Sequence, residues 1–271
     1  MAGLMAADPT ARTGTQSVER AISVLRALAA RNTSGARLVD LVADVGLTKA
    51  TVRRLLSVLQ REGLVSQDPE TRRYFLGIET FSLGAAAGAR FEIRRLAAAT
   101  LSRLADASED TVFLSVRSTF DAICVDRREG NFPIRTLTLT IGDRRPLGVG
   151  AGSLALLASL GEEETASVIE ENAPRALRHS PLLDAGRLAE LVHRTRADGY
   201  SFNGGLIVAG MSAIGVAVLG PRGEPEASLS IAAIDARMQP ERRAWLVSLL
   251  QKERLQLEKE IAKRVRAPHA S

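Results

Sequence analysis

The residues that could carry out catalysis in this 271-residue sequence are few and scattered. Cys124 is the only cysteine, so it cannot form an internal disulfide, and the apolar pattern around it predicts a buried, inert thiol. The three histidines, His179, His193 and His269, lack the spacing of a metal-ligand cluster. Ser153 follows Gly-Ala-Gly and does not stand at the centre of a G-x-S-x-G motif. We therefore expect no catalytic residues, no metal site, no cofactor and no enzyme activity.

Residues 148–153 (GVGAGS) form a glycine-rich stretch that follows a predicted strand and opens a predicted helix. The spacing is G-x-G-x-G and the surrounding strand patterns are antiparallel, which argues against a dinucleotide-binding loop. Free N–H groups at a helix start nevertheless attract a carboxylate. Arg144 and Arg145 lie just upstream, and an arginine fork matches the two oxygens of a carboxylate. The stretch is therefore a candidate site for an organic acid, with Arg145 as a further ligand.

Three amphipathic helices are predicted near the amino terminus, over residues 17–30, 38–45 and 49–62, because apolar side chains recur there at intervals of three and four. Gly46 ends the second helix in the left-handed conformation, and Thr48 caps the third. The tight turn between these two helices gives the order of a helix-turn-helix.

The third helix carries a cationic face opposite its apolar stripe. Arg54 lies on this face with Arg53 on its flank, where an arginine can donate two hydrogen bonds to guanine O6 and N7. Residues 64–76, here called the wing, predict a strand, a turn and a strand that bring two more arginines toward the DNA backbone. A merely solvated face is the alternative for the helix alone, but the turn spacing and the two dibasic pairs together favour DNA binding. The residues expected to contact DNA are Thr48, Lys49, Ala50, Thr51, Arg53, Arg54, Arg72 and Arg73.

Several motifs resemble those of the IclR family of bacterial transcriptional regulators. The family's winged helix-turn-helix is resembled by SVERAISVLRAL, LTKATVRRLLSVLQREGLV and the wing ending YFLG. Its carboxy-terminal effector domain is resembled, in order, by LADASEDTVFLSV, PLGVGAGSLALLA and GYSFNGGLIVAGMSAIGVAVLGPRGEPEASLSIAA. The resemblance implies a homodimer, commonly paired into a tetramer, that binds a palindromic double-stranded DNA operator and answers to a small-molecule effector.

The second part of the chain mixes strand and helix patterns, which is typical of an α+β domain with an antiparallel sheet. The cleanest strand pattern is Ile134–Ile141 (IRTLTLTI), where apolar and polar residues alternate. The resemblance identifies this domain as GAF-like, with the ligand on the concave side of the sheet. The other predicted elements are strands over residues 111–116, 122–126, 212–219 and 227–234, and helices over residues 152–160, 162–171, 183–198 and 239–265.

A linker helix is expected to join the two domains. Gly84 and Gly88 each cost ~1 kcal/mol against alanine in a helix interior, so a joint is expected near them, with one long kinked helix as the alternative. The last predicted helix packs on its own domain, and a coil that bridges two protomers is the alternative. The predicted segments are a disordered tail (1–15), a winged helix-turn-helix domain (16–77), a linker helix (78–90) and an effector-binding and oligomerisation domain (91–268).

The family's effector pocket can be carried over position by position. Gly148, Leu206 and Ala232 depart from the family pattern, in which a histidine, an acidic residue and a second serine are common. A pocket with fewer polar groups suits an apolar or aromatic acid. Packing is the alternative role of each residue taken singly. The pocket residues that the resemblance implies are Gly150, Ala151, Gly152, Asn203, Met211, Ala213 and Ser230.

The charge balance permits nucleic-acid binding, since 36 basic side chains, only four of them lysine, face 31 acidic ones. Residues 1–90 hold twelve basic and eight acidic side chains, so most of the surplus lies in the predicted DNA-binding domain. No apolar run approaches the ~18 residues of a membrane helix and no signal-peptide pattern opens the chain, so a cytoplasmic location without a membrane partner is expected. The predicted function is a ligand-responsive transcriptional regulator; the alternative is a DNA-binding protein whose second domain only oligomerises.

Overall fold

The computed structural model describes residues 12–88, 92–136 and 138–266. The chain divides into two compact units, Met1–Arg90 and Phe91–Ser271. Each unit has its own apolar core.

Three helices and a short hairpin enclose the core of the first unit. Val24 and Leu28 of the first helix are buried with Leu41 of the second and Leu56 of the third, and Tyr74 of the hairpin belongs to the same cluster. Burial of one apolar stripe per helix supplies most of the stability of helices this short. The elements of this unit are α1 (Arg12–Ala30), α2 (Leu38–Val45), α3 (Lys49–Arg61), β1 (Val65–Gln67), β2 (Tyr74–Leu76) and α4 (Ile78–Gly88).

The first helix begins earlier than its apolar pattern indicates. Helix α1 starts at Arg12, inside the predicted disordered tail of residues 1–15. A helix can extend beyond its first buried side chain, because each added residue brings one more backbone hydrogen bond. Residues 1–11, the rest of that predicted tail, lie outside the described residues.

The second unit is built on a six-stranded antiparallel sheet. Its strands are β3 (Thr111–Ser118), β4 (Asp121–Arg128), β5 (Arg144–Pro146), β6 (Ser201–Gly204), β7 (Met211–Leu219) and β8 (Pro225–Ile234). They lie side by side in the order β5-β4-β3-β8-β7-β6. The helices are α5 (Ile93–Ser108), α6 (Ala151–Ala158), α7 (Glu162–Ala176), α8 (Ala185–Asp198) and α9 (Pro240–Arg266). This α+β organisation with an antiparallel, GAF-like sheet is the one predicted.

The predicted linker helix corresponds to α4. It ends at Gly88 and α5 begins at Ile93, while residues 89–91 between them lie outside the described part of the chain. Gly84 lies within α4.

The two faces of the sheet carry different side chains. On β8, Leu229 and Ile231 are buried in the core that α5 and α9 complete. Ser228, Ser230 and Ala232 alternate with them and therefore face the other side, where α6 packs. Small side chains on this second face leave room between the sheet and α6.

The last helix packs on its own domain, as predicted. Leu246, Leu250, Leu257 and Ile261 of α9 are buried in the core shared with α5 and the sheet. Their spacing keeps them on one face of the helix, so the stripe is used within the protomer.

The strand predicted over Ile134–Ile141 is wrong. The described residues of this segment belong to no strand. Two of their carbonyl groups are taken by arginine side chains: Arg145 donates to the Thr138 oxygen at 2.5 Å and Arg127 donates to the Leu139 oxygen at 3.0 Å. Thr136, Thr138 and Leu139 all line a cavity of the second unit, so polar and apolar members of the alternating pattern border the same space.

Candidate functional site

Helix α3 presents a cationic face on the first unit. Thr48 caps the helix, since its Oγ1 accepts the N–H of Thr51 at 3.3 Å and lies 2.9 Å from the Thr51 hydroxyl. Thr51 is half-buried, so its hydroxyl is engaged in the cap. The exposed side chains along α3 include Lys49, Ala50, Arg53, Arg54, Ser57 and Arg61.

Arg53 and Arg54 are the central cations of this face. Among the described residues, neither guanidinium makes an ion pair or a hydrogen bond. Arg61 differs, because it pairs with Glu62 at 3.1 Å. The two adjacent guanidinium groups near the start of the helix are therefore available for base edges or phosphates.

The wing is held by the side chain of Asp68. Its Oδ1 accepts the N–H of Thr71 at 2.6 Å, the hydroxyl of Thr71 at 2.7 Å and the N–H of Glu70 at 3.1 Å. These hydrogen bonds, those from Thr71 first, lower the pKa of Asp68. Arg72 adopts the left-handed conformation, with φ 58°. Its N–H donates to the backbone carbonyl oxygen of Asp68, and its side chain is exposed.

The two wing arginines have different surroundings. Arg73 is half-buried and donates to the carbonyl oxygens of Ser34 at 3.2 Å and Gly35 at 2.9 Å. Next to it, Tyr74 and Ala36 exchange two backbone hydrogen bonds. Arg73 therefore ties the wing to the segment before α2, and among the two only Arg72 stands exposed.

A cavity of about 640 Å³, part of it open to solvent, lies in the second unit between the small-residue face of the sheet and the start of α6. Its apolar wall is formed by Phe113, Cys124, Leu139, Ala213 and Ala232. All eight residues predicted to bind an effector line this one cavity: Arg145, Gly150, Ala151, Gly152, Asn203, Met211, Ala213 and Ser230.

The start of α6 is held close against β7. A Cβ on Gly215 would lie 2.8 Å from the carbonyl of Ala151, so only glycine permits this approach. The hydroxyl of Ser201 donates to the Ala151 oxygen at 2.7 Å and fixes it there. Gly150, the N-cap residue, has φ 94° and makes no side-chain cap. Gly150, Ala151 and Gly152 line the cavity, so the start of α6 borders it without a capping side chain.

Two adjacent arginines of β5 have opposite roles. Arg144 pairs with Asp121 at 2.9 Å, and Arg175 binds the same carboxylate at 2.5 Å. The sequence-based expectation that Arg144 supports the ligand site is therefore not met, since its charge is used on the other side of the strand. Arg145 lines the cavity and donates to the Thr138 oxygen. Burial lowers the pKa of Arg145.

Sequence reasoning missed several polar residues of the cavity. Thr136 and Thr138 come from the segment misassigned as a strand, Asp143 lies between that segment and β5, and Ser115 comes from β3. The Oγ1 of Thr136 is buried without a hydrogen-bond partner among the described residues. The regularly spaced threonines of IRTLTLTI were the one sequence feature that could have indicated a polar cavity wall here. Leu206, by contrast, does not line this cavity, although Ala232 does.

The candidate nucleophiles are engaged in the fold. Cys124 is 1% exposed, and burial raises the pKa of its thiol to about 12. The Ser153 hydroxyl donates to the Val149 oxygen at 2.6 Å. Within the described residues, no group of three or more His, Cys, Asp or Glu side chains could hold a metal ion, and no helix is both long and apolar enough to cross a membrane.

Two family models match most of the chain. The model of the IclR helix-turn-helix domain matches residues 17–69, and that of the carboxy-terminal domain of bacterial IclR transcriptional regulators matches residues 85–258. The chain belongs to the IclR family. This family is made of transcriptional regulators and not of enzymes, as the lack of catalytic motifs in the sequence predicts.

Individual relatives agree with the family assignment. The HTH-type transcriptional repressor AllR of Salmonella typhi is 28% identical over 236 residues, which cover 87% of this chain and 86% of the relative. The IclR transcriptional regulator of Alicyclobacillus acidocaldarius has a similar structure, with a TM-score of 0.73, 26% identity and coverage of 90% of this chain and 98% of that one. An IclR homologue of Microbacterium hydrocarbonoxydans, solved in complex with 4-hydroxybenzoate, shares the fold with a TM-score of 0.70, 20% identity and coverage of 90% and 98%.

Proposed function

We propose that this IclR-family regulator binds a palindromic DNA operator as a homodimer or tetramer, and that a small organic or aromatic acid in the cavity of its second unit changes operator affinity. The observation that carries the proposal is the gathering of all eight predicted effector residues around one cavity, in a chain that also carries a helix-turn-helix. Such a protein acts in the cytoplasm, where bacterial DNA lies.

Helix α3 is the proposed reading helix. Arg53 and Arg54 are exposed near its start and suit guanine O6 and N7, while Lys49 and the first free N–H groups of the helix suit a phosphate. Arg72 on the wing suits the neighbouring backbone. In this proposal, Arg73 orients the wing through the carbonyl groups of Ser34 and Gly35, which replaces a direct DNA contact.

Exposed apolar residues on the first unit support self-association. Ile78 and Phe81 of α4 are 77% and 72% exposed, and Val18 and Ile22 of α1 are also exposed. A second copy of the chain would remove these side chains from water, and a two-fold dimer matches the symmetry of a palindromic operator.

Phe81→Glu is expected to shift the protein toward monomers in analytical ultracentrifugation, whereas Val39→Glu, also at an exposed position, leaves the assembly unchanged. Equal sedimentation of both variants and wild type would place the dimer contact elsewhere.

An acid is the proposed effector because the cavity combines an apolar wall with the Arg145 guanidinium and the uncapped start of α6. The Microbacterium homologue was solved with 4-hydroxybenzoate, a molecule of this class. Together these observations support an aromatic or other apolar carboxylate as ligand.

The DNA-binding part of the proposal is tested by selecting binding sites from random duplexes with the full-length protein. Enrichment of an inverted repeat is expected, and Arg54→Ala should weaken binding to it by about 1–3 kcal/mol. Arg222→Ala, at an exposed position of the second unit, is the matched control. A footprint of Arg54→Ala that equals wild type would remove Arg54 from the reading role.

The effector part is tested by measuring operator affinity in a panel of organic and aromatic acids. At least one acid is expected to change the affinity of wild type but not of Ala213→Phe, which fills the cavity from β7. This substitution is preferable to one at Gly150, whose φ of 94° would strain any side chain. A panel without effect on operator affinity would favour the alternative in which the second unit only oligomerises.

A further inference from the structure

We propose that the effector's carboxylate binds at the β5 end of the cavity, between the guanidinium of Arg145 and the hydroxyl of Thr136, and that the effector is an aromatic monocarboxylate. This inference rests on the proposed function, because it names the ligand class and the anchoring residues of the same cavity. It differs from the sequence-based expectation, in which the start of α6 takes the carboxylate and Arg145 assists.

Arg145 is a cation without a paired anion. Its guanidinium donates to the Thr138 carbonyl oxygen, and within the described residues no carboxylate lies within ion-pair distance of it. Its neighbour Arg144 shows the contrast, since that side chain pairs with Asp121. Burial lowers the pKa of Arg145 and outweighs the attraction of the Asp143 carboxylate, which raises that pKa without forming an ion pair, so a bound carboxylate would supply the direct partner that the guanidinium lacks.

Thr136 supplies a second, independent observation. Its residue is 2% exposed, its Oγ1 has no hydrogen-bond partner among the described residues, and it lines the same cavity as Arg145. Buried hydroxyl groups are normally hydrogen-bonded, so an unpartnered one on a residue that lines a cavity supports a polar ligand there. Thr138, whose carbonyl oxygen accepts from Arg145, lies two residues farther along the chain and also lines the cavity.

The surrounding residues favour a single negative charge. Asp143 lines the same cavity, and its Oδ2 accepts the N–H of Thr140 at 2.7 Å. A ligand with two negative charges would be repelled by this carboxylate, whereas one carboxylate can be directed at Arg145. Phe113, Leu139 and the small side chains beside them provide an apolar wall for a ring. The uncapped N–H groups of α6 then remain for a second, neutral polar substituent.

The test compares 4-hydroxybenzoate with 4-hydroxybenzamide, which have similar shapes and differ in charge. Calorimetric titration of the full-length protein is expected to show that wild type binds the acid about tenfold to a hundredfold more tightly than the amide, as an added charge-assisted hydrogen bond implies. Arg145→Gln should abolish this preference, and Arg145→Lys should restore part of it. Arg222→Gln, a change of the same kind at an exposed turn, should leave the preference unchanged.

Thr136→Val, which keeps the side-chain shape, should weaken binding of the acid several-fold while leaving thermal unfolding of the unliganded protein almost unchanged.

The contact between Arg145 and the acid can be observed directly through the arginine Nε–Hε signals in NMR. The signal that Arg145→Gln removes should shift when 4-hydroxybenzoate is added. Loss of binding in a variant counts only where circular dichroism shows a wild-type fold, and Arg145→Lys provides the comparison should Arg145→Gln unfold.

Equal binding of acid and amide, retention of the preference in Arg145→Gln, or failure of wild type to bind either probe at millimolar concentration would each overturn the inference. These results are distinguishable from failure of the proposed function. If another class of metabolite changes operator affinity, the regulator stands and the Arg145 anchor falls. If no operator is selected, the proposed function itself falls.

Discussion

Arg72 and Arg73 are adjacent residues of one type, yet the structure gives them separate roles. We predict that Arg73→Ala lowers the free energy of unfolding of the first unit by about 1–2 kcal/mol, because two hydrogen bonds to the carbonyl groups of Ser34 and Gly35 are lost. Arg72→Ala should leave stability unchanged and reduce the slope of log affinity against log salt concentration by about 1, as expected for one lost phosphate contact. Urea unfolding and operator titrations at several salt concentrations measure both.

Measuring both stability and salt slope for Arg72→Ala and Arg73→Ala lets each variant serve as the control for the other. A salt slope that falls in Arg73→Ala without any loss of stability would make Arg73 a direct DNA contact. An unchanged slope in Arg72→Ala would remove the wing tip from the interface.

Cys124 reports on the cavity wall through its protonation. Burial raises its pKa to about 12 from an ordinary value of 9.0, so the folded protein favours the neutral thiol. Its contribution to stability is therefore fully present below about pH 9 and is lost as the pH rises toward 12. At pH 8 we predict that iodoacetamide modifies native Cys124 far more slowly than the urea-unfolded chain, because only a thiolate exposed by opening reacts. Mass spectrometry measures both rates, and equal rates would place the thiol at the surface.

At the scale of elements, the close contact of α6 with β7 positions the cavity. Gly215→Ala would place a Cβ 2.8 Å from the Ala151 carbonyl and 2.9 Å from the Ser201 hydroxyl, so α6 must shift. We predict a loss of about 1–3 kcal/mol in the free energy of unfolding, from overpacking, together with weaker effector binding. Gly186→Ala in α8 is the matched control, since its Cβ meets only an ordinary contact at 3.5 Å and alanine favours a helix. Similar stability of both variants would contradict the tight contact.

The helices of the first unit could be predicted because their signals are local. Apolar residues at intervals of three and four, the Thr48 cap and the left-handed Gly46 at φ 66° fix α2 and α3 within a residue or two. Strands β5 and β6 have three and four residues, too few for a periodic pattern to identify them. They are the two edge strands of the sheet, and their existence depends on pairing with β4 and β7.

The cavity residues also divide into those with a local sequence signal and those without one. Those around Gly150 and on β7 and β8 lie in segments with recognisable motifs, and the structure places them on one cavity. Thr136 lies in a segment whose alternation imitates a strand, and Asp143 follows that segment. In the structure, arginine side chains distant in the sequence bind two of its carbonyl groups, a contact that no local pattern indicates. The opposite placement of Arg144 and Arg145 likewise follows from β5, because successive side chains of a strand point to opposite faces.

At the scale of the whole molecule, the positive surplus is unevenly placed. Residues 1–90 carry twelve basic and eight acidic side chains, whereas the remaining residues carry 24 and 23. Long-range attraction therefore favours DNA at the first unit. The second unit is close to neutral, so an acid bound there would be attracted through local groups such as Arg145. Higher salt is consequently expected to weaken operator binding more than effector binding.

If one chain binds both an operator and an effector, each ligand must affect the binding of the other. If an acid in the cavity changes operator affinity by some factor, the operator must change the affinity for that acid by the same factor, because both binding steps share one thermodynamic cycle. We predict that effector titrations of full-length protein, with and without saturating operator, differ by the factor found in operator titrations with and without effector, about 5–150-fold in typical allosteric proteins. The control is Arg54→Ala at an operator concentration that this variant does not bind. Its affinity for the effector should then be the same with and without operator. Unequal factors would mean that the acid acts at a second place, and a factor of one in both directions would leave the second unit without a regulatory role.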